Sequence, residues 1–297
     1  MAIQQGIIKH IDGGIFGIAG YYTPNDSTQH VIVAVHNGTF YEIHWNAAIA
    51  PTNPQGLAHF NGLACFSGFF SQDDAYQHVI VATNDLNMHE VYFTQAQSPA
   101  LRSPLTHVND LNGYNGMAGF YSAGDNLRHA VIVGQTGTLY DVTFNSQQLP
   151  TAATLATPFH AGDVASISGF FASNDAARHI VVALKNGNVY DHTYPDEAHT
   201  VGVTQQDLVA QSAEPLVNVT SFFAPDTNFY HYIVLTANGN MYDHARDPQG
   251  ETRITTLPPF KNVVDIASYY SIYDSISHVI VATNDGNLHE VTYTSQG

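Results

Sequence analysis

The sequence predicts an all-β chain folded as a six-bladed β-propeller, with four strands per blade and an N-terminal strand that closes the last one. Three observations carry the prediction. One pattern occurs six times: a histidine opens a short β-branched run, a turn follows, and an acid stands twelve residues after the histidine. Successive histidines are 48, 51, 50, 52 and 47 residues apart, a period that suits one four-stranded blade. The ends supply the third observation: 19 residues follow His278 and 30 lead up to His30, together 49, which is one more period.

Each element follows in order along the repeat. The opening strand-like piece, Gln5–Ile11, precedes the first repeat, while the last copy lacks a fourth strand. Pairing the two leaves no open sheet edge between the termini. The first strand of each repeat ends in an aromatic pair: Tyr21-Tyr22, Phe69-Phe70, Phe120-Tyr121, Phe170-Phe171, Phe222-Phe223 and Tyr269-Tyr270. A polar loop follows, with Asp26, Asp74, Asp125, Asp175, Asp226 and Asp274, and these acids read as turn residues that cap their own backbone. The second strand is the histidine run, His-Val-Ile-Val-Ala in three copies. Asn37-Gly38, Asn186-Gly187, Asn238-Gly239 and Asp285-Gly286 then signal hairpins, with both turn residues expected at positive φ. The third strand carries the acid. Weaker polar segments such as Gly56–Phe60, Ser103–Val108 and Ile254–Phe260 supply the fourth. An open solenoid is the rival, but it needs polar capping repeats, and the first and last copies are as apolar as the others.

The 297 residues read as one domain, 1–297, because the repeat runs throughout. Only 11% of residues are charged, and the net charge is −17 with eight Lys plus Arg. Phosphate binding needs clustered cations, so nucleic acid is not an expected partner. No apolar stretch reaches membrane-spanning length, so no membrane insertion is expected. Cys65 is the single cysteine, which excludes an intrachain disulfide. Met1 to Gly14 shows no basic region followed by a long apolar core, so no signal peptide is expected. That fits a cytoplasmic protein or one released without a classical signal.

The repeated pairs are His30/Glu42, His78/Glu90, His129/Asp141, His179/Asp191, His231/Asp243 and His278/Glu290. Two readings of them stand. In the first they are scaffold, a polar pair that every blade buries and satisfies, sparing about 1–3 kcal/mol per group. In the second they bind ligand. Register bears on the choice: a two-residue turn puts the two side chains on opposite faces, whereas an odd loop or a bulge makes them face each other directly.

The repeat resembles that of the six-bladed fucose-binding lectins, over essentially the whole chain and at the level of pattern. The resemblance rests on a strand with Ile-Ala and an aromatic, a loop, a cationic residue, a Val-rich run, a Gly turn, and an acid twelve positions on. In that family an Arg and the acid grip sugar hydroxyls, and an aromatic ring from the neighbouring blade stacks on the sugar. The resemblance therefore implies multivalent carbohydrate binding, with glycans or glycoconjugates as partners and all twelve paired residues as ligand contacts. This chain departs from the family in having His where Arg is typical, Asp in three of the six acids, and one tryptophan, Trp45. Arg128 and Arg178 precede the histidine in copies three and four only.

Other chemistry finds less support. There are 17 histidines, but neither HExxH nor a Cys/His cluster. His44, His89, His192, His244 and His289 share no single register, so no metal or other cofactor is expected. One acid per loop is too few for a tight calcium site. The features that break the symmetry are the Asn109–Gly116 loop, Thr227 where other copies carry Asp, Leu86 where Gly is usual, Cys65 and Trp45. None forms a catalytic constellation. The reading leans to a non-enzymatic protein; the alternatives are a metal-dependent lyase, isomerase or hydrolase in a central channel, or a scaffold. The sequence leaves the sugar and the oligomeric state open.

Overall fold

A computed structural model describes residues 3–107, 113–156, 159–160, 162–195 and 205–294. They form six four-stranded antiparallel sheets. Blade one is β2 (Ile15–Thr23), β3 (Thr28–Val35), β4 (Thr39–Trp45) and β5 (Gln55–His59). Blade two is β6 (Leu63–Phe70), β7 (Gln77–Thr83), β8 (Asn87–Thr94) and β9 (Gln97–His107). Blade three is β10 (Tyr114–Ser122), β11 (Leu127–Gly134), β12 (Leu139–Phe144) and β13 (Thr151–Ala156). Blade four is β14 (Val164–Ala172), β15 (Ala177–Leu184), β16 (Asn188–Pro195) and β17 (Gln205–Gln211). Blade five is β18 (Leu216–Ala224), β19 (Phe229–Thr236), β20 (Met241–Arg246) and β21 (Thr252–Leu257). Blade six joins β22 (Val263–Ser271), β23 (Ile276–Thr283) and β24 (Asn287–Tyr293) to β1 (Ile3–His10). The first strand pairs with the last from Ile3↔Tyr293 to His10↔Asn287, the closure that the chain ends imply. The innermost strands β2, β6, β10, β14, β18 and β22 neighbour one another around a closed ring.

The core is six clusters, one per seam between consecutive blades. The second strand of each blade explains why. All eight residues of β3 are buried, because the strand is covered on both sides. Val31, Val33 and Val35 pack into the seam with blade six, while Ile32 and Ala34 pack into the seam with blade two. Strand alternation thus sends neighbouring residues to different seams. Each buried large apolar side chain contributes about 1.5–3 kcal/mol.

The hairpin between the second and third strands of blade one is a three-residue loop, 36–38, and not a two-residue turn. Gly38 (φ 88°) is left-handed, whereas Asn37 is not, contrary to the sequence expectation that both have positive φ. Asn37 instead accepts the Thr39 N–H on its side-chain oxygen at 2.9 Å. A type I turn closed by a left-handed residue accounts for this. The odd loop sets the register: Ile32 pairs with Glu42 and His30 with His44, so His30 and Glu42 share a face as diagonal neighbours, not directly opposite each other as the sequence predicts for an odd loop. A second correction concerns Asn109–Gly116. Tyr114 already opens β10, and residues 108–112 lie outside the described residues.

Candidate functional site

The structure brings each repeated histidine to its acid. The imidazole Nδ1 lies 2.7–2.9 Å from the carboxylate in all six pairs: His30/Glu42, His78/Glu90, His129/Asp141, His179/Asp191, His231/Asp243 and His278/Glu290. The first aromatic of each pair lies flat on the same imidazole, at centroid distances of 4.7–5.5 Å. The cross-strand pairing puts them together, as Tyr21 lies opposite His30 in the ladder. Both aromatics of each pair line one mouth of the central channel, a space of about 330 Å³. Trp45 packs into the seam between blades six and one.

The loop aspartates do cap their turns: Asp26, Asp74, Asp125 and Asp175 each accept a backbone N–H two residues on at 3.1 Å. They also do what turn chemistry alone does not suggest. Asp74, Asp125 and Asp175 lie 3.1–3.2 Å from the Nε2 of His78, His129 and His179, and Asp274 lies 3.6 Å from that of His278. In blade one Thr23 takes that place, 3.0 Å from His30 Nε2. In blade five the position is Thr227, whose hydroxyl turns to the Ala224 carbonyl, and His231 Nε2 has no hydrogen-bond partner among the described residues.

Charge explains what these acids achieve. Burial alone would push His129 and His179 down; the facing charges of Asp141 and Asp191, with the hydrogen bonds to Asp125 and Asp175, overcome it and raise both to about 9. His278 is raised against burial in the same way by Asp274 and Glu290. Both nitrogens of such an imidazolium donate. The loop acids Asp74, Asp125, Asp175 and Asp274 are held below the usual carboxylate range: burial opposes this, but the histidine hydrogen bonds and charges prevail.

The residue before each histidine points the other way, into the preceding blade's pair. Tyr21 donates to Gln77 at 2.9 Å, and Tyr269 donates to Gln29 at 3.0 Å. Arg128 binds Glu90 (3.2 Å), Asp73 and Asp74 of blade two, and Arg178 reaches Asp141 of blade three at 3.3 Å. Tyr230 donates to Asp175 at 2.8 Å and covers the free side of the His179 ring. Tyr232 and Tyr293 donate to Asp191 and Asp243 at 2.7 and 2.9 Å. Strand parity on a twice-covered strand is the signal that assigns Arg128 and Arg178 to the blade before their own.

Five of the six acids are sealed: their side chains are at most 5% exposed, whereas Glu290 is 23% exposed. The outermost strand supplies the reason. Opposite the sealed acids stand Gln55, Arg102, Ala153, Asp207 and Thr255, but opposite Glu290 stands Gly6, with open space where a side chain would be. Sequence reasoning missed Gly6 because its partner is almost the full chain length away.

The central channel is a separate, asymmetric space of about 230 Å³, and no histidine is among its lining residues. Gly17, Cys65, Gly116, Ser166, Asn218 and Asp265 occupy equivalent places around it. Asp265 accepts the Ile18 N–H at 2.8 Å, and burial raises its carboxyl to about 6. Burial also pushes the Cys65 thiol up to about 12, which favours the protonated form.

Solved structures with this architecture include several lectins. The BP39L lectin from Burkholderia pseudomallei superposes with a TM-score of 0.67 at 15% identity, over 94% of this chain and 81% of that one. AofleA from Arthrobotrys oligospora gives 0.70 at 13%, over 99% and 86%. A mutant of the Aleuria aurantia lectin, in complex with Fucα1-6GlcNAc, gives 0.66 at 10%, over 98% and 94%. The chain has the six-bladed β-propeller fold that these lectins share. Neither a protein-family model nor a curated protein matches it in sequence.

Proposed function

We propose that this propeller is a multivalent carbohydrate-binding protein whose sugar contacts lie along the seams between blades. A fold alone does not assign a function; the chemistry of the seams supports the reading. Each seam holds a carboxylate and an imidazole, the acceptor and donor types that sugar hydroxyls need, and the seam at blade six leaves its acid open to solvent. The rims at Asp74, Asp175 and Asp274 reach solvent. The observation that carries the reading is the cleft at blade six, where Gly6 leaves Glu290 uncovered next to His278 and Asp274. In seams two–three, three–four and four–five, Arg128, Arg178 and Tyr230 fill the corresponding space. Individual sites are shallow, and linked sites on a glycan-coated surface supply avidity. With a net charge of −17 and acid-lined seams, the protein favours neutral sugars over sialylated or sulfated ones.

A glycan array followed by calorimetry with α-methyl fucoside and other neutral monosaccharides tests this. Binding is expected to fall sharply in Glu290→Gln, and in Gly6→Gln, which restores the cover found opposite Glu42. Signal from no glycan class would overturn the reading in favour of a scaffold.

A further inference from the structure

We infer that blade one holds a divalent transition-metal site, of the zinc class, formed by His30, Glu42 and His44. One ligand atom from each residue lies within 4.8 Å of the others. Glu42 Oε1 is 2.7 Å from His30 Nδ1 and 3.7 Å from His44 Nδ1. Tetrahedral zinc, with bonds of about 2.0–2.1 Å, holds its ligand atoms roughly 3.4 Å apart, between those two distances. An ion would replace the proton between His30 and Glu42, opening that pair, and would draw His44 closer.

Three further observations point to an ion. His44 Nδ1 is buried and has no hydrogen-bond partner among the described residues. A buried nitrogen left in that state is costly, and a metal bond would satisfy it. Among the described residues the group also occurs in this blade alone. The places that pair with the repeated histidine, as His44 pairs with His30, are Tyr92, Thr143, Thr193, Ala245 and Thr292 elsewhere. Finally, the neighbouring blades bring a cation to the same carboxylate: Arg128 to Glu90 and Arg178 to Asp141. At Glu42 the entering residue is Gln77, which bonds Tyr21, and no Arg or Lys pairs with Glu42 among the described residues. A bound cation would supply the charge that the arginines supply next door.

The outer shell fits as well. His30 Nε2 is held by the Thr23 hydroxyl, which donates to Asp26, so the ring is fixed with Nδ1 toward Glu42. Ligating histidines are oriented by such a bond on the second nitrogen. Two imidazoles and a carboxylate leave one tetrahedral position, as in zinc sites open to solvent. The His44 side chain, 14% exposed, gives access from outside.

The test uses the full chain, stripped with EDTA and titrated with Zn²⁺ against a chromophoric chelator, then with Co²⁺ by visible absorption. One tight equivalent and the intense bands of four-coordinate cobalt are expected. His44→Thr places in blade one the residue found in blades three, four and six. It should fold and lose the tight equivalent, with affinity falling about 100-fold or more, at least the loss that removal of an outer-shell partner brings. His44→Gln, closer in bulk, is a second variant, so a folding defect in one leaves the other to decide. Absence of a tight equivalent, or equal zinc binding by the His44 variants, would overturn the proposal. The readout is the metal alone and stands apart from sugar binding.

Discussion

Arg128 of blade three donates to Glu90 of blade two at 3.2 Å across a seam that excludes water from both side chains. The same guanidinium holds Asp73 and Asp74. One residue thus pairs with three acids of its neighbour, and the seam is tied by charge as well as by the apolar cluster beneath it.

Arg128→Ala should be severely destabilising. It strands buried carboxylates, and breaking a buried ion pair from one side costs about 3–5 kcal/mol. Arg253, whose partner Glu251 is exposed at 3.6 Å, is the contrast. Arg253 also lies over the Phe229 ring at 5.0 Å, so Arg253→Ala should cost no more than about 1 kcal/mol. Urea denaturation of both variants measures the difference.

Alkali should loosen the ring before it reaches the tyrosines. His129 and His179 are raised to about 9 in the folded protein, from about 6.5 when unfolded. Their contribution is therefore fully present below about pH 6.5 and is lost as pH rises through about 9, on the order of 3 kcal/mol per histidine. The loop acids act at the other end: held low, they contribute above about pH 4, and that contribution disappears on acidification. Denaturation midpoints at pH 6 and pH 10 should differ, and the double variant Asp125→Asn, Asp175→Asn should narrow the gap.

Thr227→Asp should stabilise blade five. It restores the carboxylate that His78, His129 and His179 meet at the same place and gives the orphaned His231 Nε2 a partner. A charge-assisted hydrogen bond of this type contributes about 1.5–3 kcal/mol. The gain should appear in thermal unfolding at neutral pH and vanish in a His231→Phe background.

Gly38→Ala should cost about 2–5 kcal/mol. The added carbon would sit 1.9 Å from the Phe60 carbonyl oxygen, at a φ of 88°, so both left-handed strain and overpacking act. The equivalent hairpin of blade two tolerates Leu86 at φ 67°. Chemical denaturation of G38A, with Leu86→Ala as the reference, separates the two positions.

The sequence by itself determined the ring. A fifty-residue period, a histidine run too apolar to face water on either side, and two chain ends that sum to one period require six blades closed by the first strand, because β-sheets do not leave such edges bare. It also marked every histidine and acid that now stand within hydrogen-bond reach. Only the tertiary structure decided what surrounds them. Whether Arg128 serves its own blade or the one before depends on which seam its side chain enters, and only the packing of two blades shows that it enters the seam with blade two. Whether an acid is sealed or open depends on the outermost strand, and for Glu290 that strand comes from the far end of the chain, where Gly6 has no side chain to cover it. His44 meets His30 through an odd hairpin loop whose length the Asn-Gly pair does not reveal. Local sequence specifies the strands and their period, whereas the environment of each polar pair is made by residues a blade or more away.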